Sequence, residues 1–421
     1  MKSLLKNFFS LGLVQGTNLL APLLLTPYLV ETLGVLNFGI ISVAQSLAVF
    51  WNIFVDYGFG ITAVRQIAQI EDKEKLLADI ANKIIISKLI LLFVAFIFYV
   101  ILIYSIPKFR EYSSLFLLSY TLVVGQALLP LWFYQASERV AETVKILVLS
   151  KIFGIISVFY IVSSFREALY VNFLIGFSNI ISSLFLLSKM VKHNGLVLKP
   201  ISKQAFINQI KQGKTIFFSN VGLSIYTNTT ILLLSFFASH ATVGMFSIAE
   251  KVIQLLRMLL SFLMQTVYAR VCTLAEEGYD SVLSLFKKIY PVFWVSIFIL
   301  CLLINFFSEE ISGFFVKNEG QQVISDTASL LKIYAFLPFI VALNMPFYQS
   351  LLAYHQDKIT SMILVGCSLC SLVLNILLIK CYGVHGAIIT NYFIETAVTI
   401  LLMYFTFHLM PQFYGSNRLH R

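Results

Sequence analysis

Three charged side chains, Glu250, Lys251 and Arg257, lie within the apolar stretch GMFSIAEKVIQLLRMLLSFLMQ (residues 244–265). Each such ion costs about 2.5–3.5 kcal/mol at the bilayer centre on insertion scales, whereas a Leu or Ile contributes only about 0.3–0.6 kcal/mol. On a helix the polar side chains of this stretch share an arc of about 120°. Two cations beside one acid favour an anionic ligand, above all a phosphate. We therefore predict phosphate contacts for Lys251 and Arg257; an internal ion pair between Glu250 and Arg257 that fixes helix packing is the alternative.

Helical periodicity aligns polar side chains in three further apolar stretches. With residues 244–265, these stretches are predicted to form the walls of one polar cavity. Glu395, beside Asn391, is a further acid deep in an apolar stretch. Asp56 lies near the end of its stretch, so a position at the membrane interface is its alternative. The aligned residues are Gln15, Asn18, Pro22 and Thr26 in the first stretch, Ser42, Gln45, Ser46, Asn52 and Asp56 in the second, and Asn220, Ser224 and Thr227 in the third.

The composition indicates a polytopic membrane protein. The chain has 421 residues, of which 59% are hydrophobic and 12% charged, whereas a soluble domain has about 25% charged residues. The apolar residues form runs of membrane-spanning length, which favours an all-α fold over a β-barrel. The net charge of +10 lies mainly in short connections and predicts membrane orientation rather than nucleic-acid binding. No pattern predicts a metal site, a cofactor or a catalytic residue; we read Cys367 and Cys370 as helix-packing residues.

Twelve apolar stretches are long enough to cross the ~30 Å hydrocarbon layer. Lys and Arg concentrate in alternate connections, among which we counted Lys88, Lys145 and Lys151, and this bias predicts that both termini are cytoplasmic. The predicted spans are residues 8–30, 36–55, 84–106, 113–132, 144–163, 168–188, 215–239, 243–267, 289–308, 327–352, 359–379 and 384–409.

The two halves of the chain resemble each other in order. For example, NFFSLGLVQGTN (residues 7–18) is echoed by IFFSNVGLSIYTN (residues 216–228). Six spans per half give both halves the same orientation, so we predict a parallel repeat with a cavity between two six-helix lobes. The predicted division is an N-terminal lobe at residues 1–188, a cytoplasmic linker at 189–214 and a C-terminal lobe at 215–421.

Three segments carry a family resemblance: LGVLNFGIISVAQS (residues 33–46), VDYGFGITAVRQIA (55–68) and PLWFYQASE (130–138). They resemble the polysaccharide-exporter flippases, the Wzx-type translocases of O-antigen and exopolysaccharide. This family belongs to a superfamily with the multidrug extruders and the peptidoglycan-precursor flippases. The resemblance implies an extruder-like, V-shaped pair of lobes with alternating access. It further implies an inner-membrane protein of lipopolysaccharide and polysaccharide biosynthesis that moves undecaprenyl-pyrophosphate-linked oligosaccharides from the cytoplasmic to the external leaflet.

The function that the resemblance implies assigns an expected role to each group of polar residues. Lys251 and Arg257 are expected to contact the diphosphate, while Arg65 is expected to order a loop or gate. Membrane lipids would surround the protein, and a polysaccharide polymerase is an expected partner. The candidates for hydrogen bonds to sugars are Gln15, Asn18, Gln45, Asn52, Asn220 and Gln254, and those for coupling to H⁺ or Na⁺ are Glu250, Glu395 and Asp56.

Other classes of membrane protein fit less well. A cation-coupled multidrug exporter commonly has an acid in an early span, but residues 8–30 contain none. A membrane polysaccharide polymerase or ligase commonly has a large outer loop, whereas the longest one predicted here, residues 309–326, is short and acidic. Peptidoglycan-precursor flippases usually have additional spans.

Overall fold

The computed structural model describes residues 2–68, 73–137, 139–193 and 198–415, and no strand occurs among them. Long apolar runs form helices because a helix satisfies its own backbone hydrogen bonds where lipid offers none. A 3₁₀ turn at Phe165–Glu167 precedes α8. The helices are α1 (Lys2–Asp56), α2 (Phe59–Ala68), α3 (Lys73–Ser105), α4 (Pro107–Arg110), α5 (Ser113–Leu128), α6 (Leu131–Ala136), α7 (Ala141–Ile161), α8 (Tyr170–His193), α9 (Lys203–Phe237), α10 (His240–Glu277), α11 (Tyr279–Phe306), α12 (Ser308–Phe315), α13 (Gln321–Tyr334), α14 (Leu337–Ala353) and α15 (Asp357–Gly415).

Within these described ranges, nine helical segments are long and apolar enough to cross a membrane, and Asn228–Phe237 is a shorter apolar helix. The chain is therefore a multi-pass membrane protein with an all-α fold, as the sequence predicts. The nine segments are Leu20–Val64, Leu77–Ser105, Ser113–Ala136, Ala141–Ile161, Tyr170–Lys192, His240–Glu277, Tyr279–Phe306, Gln321–Ala353 and Asp357–His408.

Two of the long helices bend at a glycine. Gly34 in α1 has φ 81° and Gly383 in α15 has φ 59°, a left-handed conformation that favours glycine because it lacks a Cβ. A straight helix of 55 residues, the length of α1, would measure about 80 Å, far more than the ~30 Å hydrocarbon layer. Each bend lies between two predicted spans, so each helix has room for two crossings. The number twelve stays a prediction.

The chain divides into two compact units, Met1–Val221 (unit 1) and Gly222–Arg421 (unit 2). The division lies within α9, after the linker that the sequence predicts. Asn220, which the sequence argument assigns to the C-terminal lobe, thus belongs to unit 1. The predicted lobes and linker otherwise stay a prediction.

The stretch from Lys199 through the first part of α9 contacts other helices of unit 1. The side chain of Asn82 donates to the carbonyl of Lys199 at 3.0 Å and accepts from its N–H at 2.9 Å. The rings of Tyr57 and Phe217 stack with centroids 4.4 Å apart. Phe206 packs against the apolar core of unit 1. These contacts position Asn220 of α9, which lines a cavity in unit 1.

Polar side chains in the core of unit 2 satisfy one another. The Tyr290 hydroxyl donates to Gln349 Oε1 at 2.8 Å, and Gln349 Nε2 donates to the carbonyl of Met264 at 2.9 Å. The indole N–H of Trp294 donates to the carbonyl of Ala342 at 2.9 Å. Because a buried polar group without a partner is costly, these bonds hold α10, α11 and α14 in a defined register.

Candidate functional site

In unit 2, the charged face of α10 lies beside the last long helix. Arg257 on α10 forms an ion pair with Glu395 on α15, with 3.4 Å between Nη2 and Oε1. The Glu395 side chain is 6% exposed and the Arg257 side chain 25% exposed. The carboxylate is therefore the more buried partner, although Nε of Arg257 is also buried.

Several polar groups surround this pair. Tyr334 on α13 lies within electrostatic range of Arg257, Glu250 and Glu395. Asn391 Nδ2 donates to the Tyr334 hydroxyl at 2.9 Å. Thr230 Oγ1 donates to Asn391 Oδ1 at 3.5 Å. Four helices thus converge on the Arg257–Glu395 pair.

The charge balance of this cluster differs from the sequence expectation. Buried Glu250 lies within electrostatic range of both Lys251 and Arg257. The sequence alone places this single acid beside two cations, but the ion pair adds Glu395 as a second acid. The expected excess of positive charge is therefore wrong for the described side chains, because Arg257 forms an ion pair with Glu395 and also lies within electrostatic range of Glu250. What favours an anion here is the greater exposure of the guanidinium.

Unit 1 contains an open cavity of about 400 Å³. Asp56, at the end of α1, forms an ion pair with Lys88 on α3, with 2.7 Å between Oδ1 and Nζ. Here the lysine side chain is 8% exposed and the aspartate side chain 42% exposed. The buried partner is the cation, the reverse of unit 2. The polar residues that line the cavity are Asn52, Asp56, Lys88, Gln126, Gln135 and Asn220.

Three predicted residues, Asn52, Asp56 and Asn220, meet in this cavity. Helical periodicity was the signal that aligned them. Two cavity residues that the sequence argument missed, Gln126 and Gln135, are single polar side chains on helices with no polar stripe. Lys88 was counted in a connection although it follows IIIS within an apolar run.

Two lysines therefore need a correction. Lys88 lies within the apolar helical segment Leu77–Ser105, and Lys151 lies within Ala141–Ile161. Neither residue belongs to a connection, because the apolar run begins before it in each case. Lys151 is half-buried in the middle of α7.

The remaining predicted residues are separate from these two clusters or outside the described side chains. Gln45 Nε2 donates to Asn172 Oδ1 at 2.9 Å, and Asn172 Nδ2 donates to Ser119 Oγ at 2.9 Å. Gln45 thus joins α1 to α5 and α8. Gln254 is exposed on α10. The side chains of Gln15, Asn18 and Arg65 lie outside the described part of the structure.

The fold defines the class of protein first. The chain superposes on a multidrug resistance MATE family transporter of the MOP superfamily in an inward-facing conformation, with a TM-score of 0.69 and 13% identity, covering 93% of this chain and 98% of that one. It superposes on the lipid II flippase MurJ in an inward closed conformation with a TM-score of 0.72 and 15% identity, covering 96% of this chain and 86% of that one. The protein thus has the fold of these transporters.

The sequence then gives the family. Residues 4–269 match the family described as "Polysaccharide biosynthesis protein", and the chain belongs to that family. It is also 28% identical to a protein of Escherichia coli (strain K12) that is provisionally named an O-antigen transporter, over 96% of each chain. The resemblance to polysaccharide exporters in the sequence motifs is confirmed.

Proposed function

We propose that the protein is a flippase that moves undecaprenyl-pyrophosphate-linked oligosaccharide repeat units from the cytoplasmic to the external leaflet by alternating access. The observation that carries the proposal is Arg257, a guanidinium held partly exposed inside an apolar helix against a buried carboxylate. A side chain this costly in a membrane marks a ligand or ion pathway by default. The family match and the relative named as an O-antigen transporter support the same substrate class.

The ion pair suits a ligand that arrives and leaves. Its 3.4 Å separation exceeds the roughly 2.7–2.9 Å of a strong charge-assisted hydrogen bond. A diphosphate offers oxygens to the planar guanidinium fork, which binds phosphate in a bidentate manner. Lys251 would add a second cation. The lipid tail would stay in the surrounding bilayer. Because the substrate would cross the membrane intact, no covalent bond would be made or broken, and we propose that the protein is a transporter and not an enzyme.

Ion coupling and location complete the proposal. Glu250, Glu395 and Asp56 are the acids that would carry H⁺ or Na⁺. The protein would reside in the inner membrane with both termini in the cytoplasm, and a polysaccharide polymerase would receive the exported units. The predicted lobes would open alternately to the two sides.

A cation-coupled multidrug exporter of the same superfamily is the second candidate. The similarity to the MATE transporter fold favours it, and the fold alone does not distinguish the substrates. The relative named as an O-antigen transporter argues against it, since that name refers to a glycan rather than to a drug. A membrane polymerase or ligase is less favoured because the relative from Escherichia coli is named as a transporter.

The decisive experiment locates the lipid-linked glycan in the two leaflets. Deleting the gene is expected to make undecaprenyl-linked repeat units accumulate on the cytoplasmic leaflet, measured by leaflet-selective labelling of spheroplasts and inverted vesicles. Restoring the gene is the control. Unchanged surface polysaccharide together with increased drug sensitivity in the deletion strain would instead support the multidrug exporter.

A further inference from the structure

We infer that the cavity of unit 1 is a saccharide-recognition site, which binds a sugar of the substrate separately from the diphosphate contact at Arg257. This inference rests on the proposed function. It assigns Lys88, Gln126 and Gln135, which the motifs did not single out. The volume of about 400 Å³ lies in the usual range of about 300–1,000 Å³ for small-molecule sites.

The lining chemistry matches sugar hydroxyls. Gln126 and Gln135 are exposed and line the cavity, and each side-chain amide offers two N–H donors and one carbonyl acceptor. A hydroxyl both donates and accepts, so it can satisfy either end of an amide. Asn52 Oδ1 is buried and accepts no hydrogen bond from the described residues.

In the Asp56–Lys88 ion pair the carboxylate is the more exposed partner, so a ligand in the cavity would meet a negative charge. Lys88 is the buried partner, and it fixes the orientation of the Asp56 carboxylate at 2.7 Å. The carboxylate has oxygens left to accept from a sugar, since an ionised carboxyl has about four acceptor positions. The same exposed carboxylate repels a phosphate. The cavity therefore favours the neutral, hydroxyl-rich part of the substrate over its diphosphate.

Five helices of unit 1 contribute the polar side chains of this site. Asn52 and Asp56 come from α1, Lys88 from α3, Gln126 from α5 and Gln135 from α6. Asn220 adds a further amide from the part of α9 that packs on unit 1. A site of hydrogen-bonding groups on packed helices discriminates strongly, because a sugar that lacks the matching hydroxyl leaves those groups without partners.

The test separates the two parts of the substrate. Purified full-length protein in nanodiscs is titrated with undecaprenyl diphosphate, which carries no sugar, and with lipid-linked glycan extracted from the deletion strain. Wild-type protein is expected to bind the glycan form more tightly. The double variant Gln126→Ala/Gln135→Ala is expected to bind the glycan form about tenfold more weakly and undecaprenyl diphosphate within twofold of wild type.

Matched variants keep the result interpretable. Gln204→Ala, at an exposed glutamine of α9 outside the cavity, should bind both probes as the wild type does, and thermal unfolding should show that all variants are folded. Arg257→Lys should weaken both probes. Equal wild-type affinity for both probes, or an equal loss of both in the double glutamine variant, overturns the saccharide site and leaves the flippase proposal standing. Failure of the wild type to bind either probe overturns both.

Discussion

In unit 1 the cation of the ion pair is buried and the carboxylate faces the cavity, whereas in unit 2 the carboxylate is buried and the guanidinium is the more exposed partner. The separations also differ, 2.7 Å for Asp56–Lys88 and 3.4 Å for Arg257–Glu395. In both pairs the buried ion needs its partner to remain charged in a low-dielectric surrounding.

The difference shows that an ion pair of a cation and a carboxylate can expose either charge, depending on which of the two side chains is buried. The buried member fixes its partner in place, and the more exposed member is the one that we propose contacts the ligand. Unit 1 thus offers a carboxylate among amides, which suits hydroxyl groups, and unit 2 offers a guanidinium, which suits phosphate oxygens.

The largest expected effect concerns the exposed cation of unit 2. Arg257→Lys keeps the positive charge but loses the guanidinium fork, and Lys251→Ala removes the neighbouring cation; each is expected to lower surface glycan export at least about tenfold. Export is measured by quantitative labelling of the surface polysaccharide, with protein level and membrane insertion checked by immunoblot. Full export by the Lys251→Ala/Arg257→Ala double variant would remove the phosphate assignment.

The next prediction compares two variants of each ion pair, one that removes the charge of the anion and one that removes the charge of the cation. Asp56→Asn leaves the buried Lys88 ammonium without its counter-ion and should destabilise the protein by about 3 kcal/mol or more. Lys88→Met leaves a half-exposed carboxylate that water solvates, and should cost about 1 kcal/mol or less.

In unit 2 the order should reverse. Arg257→Met strands the buried Glu395 carboxylate, whereas Glu395→Gln leaves the more exposed arginine near Glu250, so Arg257→Met should be the more destabilising change. Unfolding midpoints of the four purified variants in one detergent measure both orders. The same order of cation and anion variants in both units would contradict the comparison.

The last prediction concerns the bend of α15. Gly383→Ala places a Cβ on a residue with φ 59° and should destabilise the protein by about 1–2 kcal/mol. No neighbouring atom lies within 4 Å of that Cβ, and the same is true of Gly366 within the helix. Gly366→Ala is therefore the matched control and should be neutral or slightly stabilising. Equal unfolding midpoints for the two variants would show that the bend does not depend on glycine.

The sequence predicted features that depend on periodicity. Runs of apolar residues predicted the helices, and a shared polar face predicted that Asn52 and Asp56 meet a common cavity. The bends at Gly34 and Gly383 lie between predicted spans, where charged residues such as Glu31 and Lys380 interrupt the apolar pattern. These signals come from residues that are close in sequence.

What could not be predicted depends on contacts between distant residues. Arg257 pairs with Glu395, 138 positions away, while spacing on one helix suggested Glu250. Gln126 and Gln135 carry no local signal, because a single amide in an apolar helix does not show which side of that helix meets a cavity. Lys88 was assigned by its charge, although the neutralising carboxylate of Asp56 allows it to lie within a span.

The docking of the first part of α9 has a consequence for dividing the gene. Asn82 forms two hydrogen bonds with the backbone of Lys199, and Phe217 stacks on Tyr57. Residues 199–217 are therefore part of the structure of unit 1 and not a flexible linker between the units. Severing the polypeptide at residue 214 would take Phe217 and Asn220 away from the fragment that needs them. A split into two complementing fragments would instead have to be made after residue 221. The N-terminal fragment then keeps every residue that lines the cavity of unit 1.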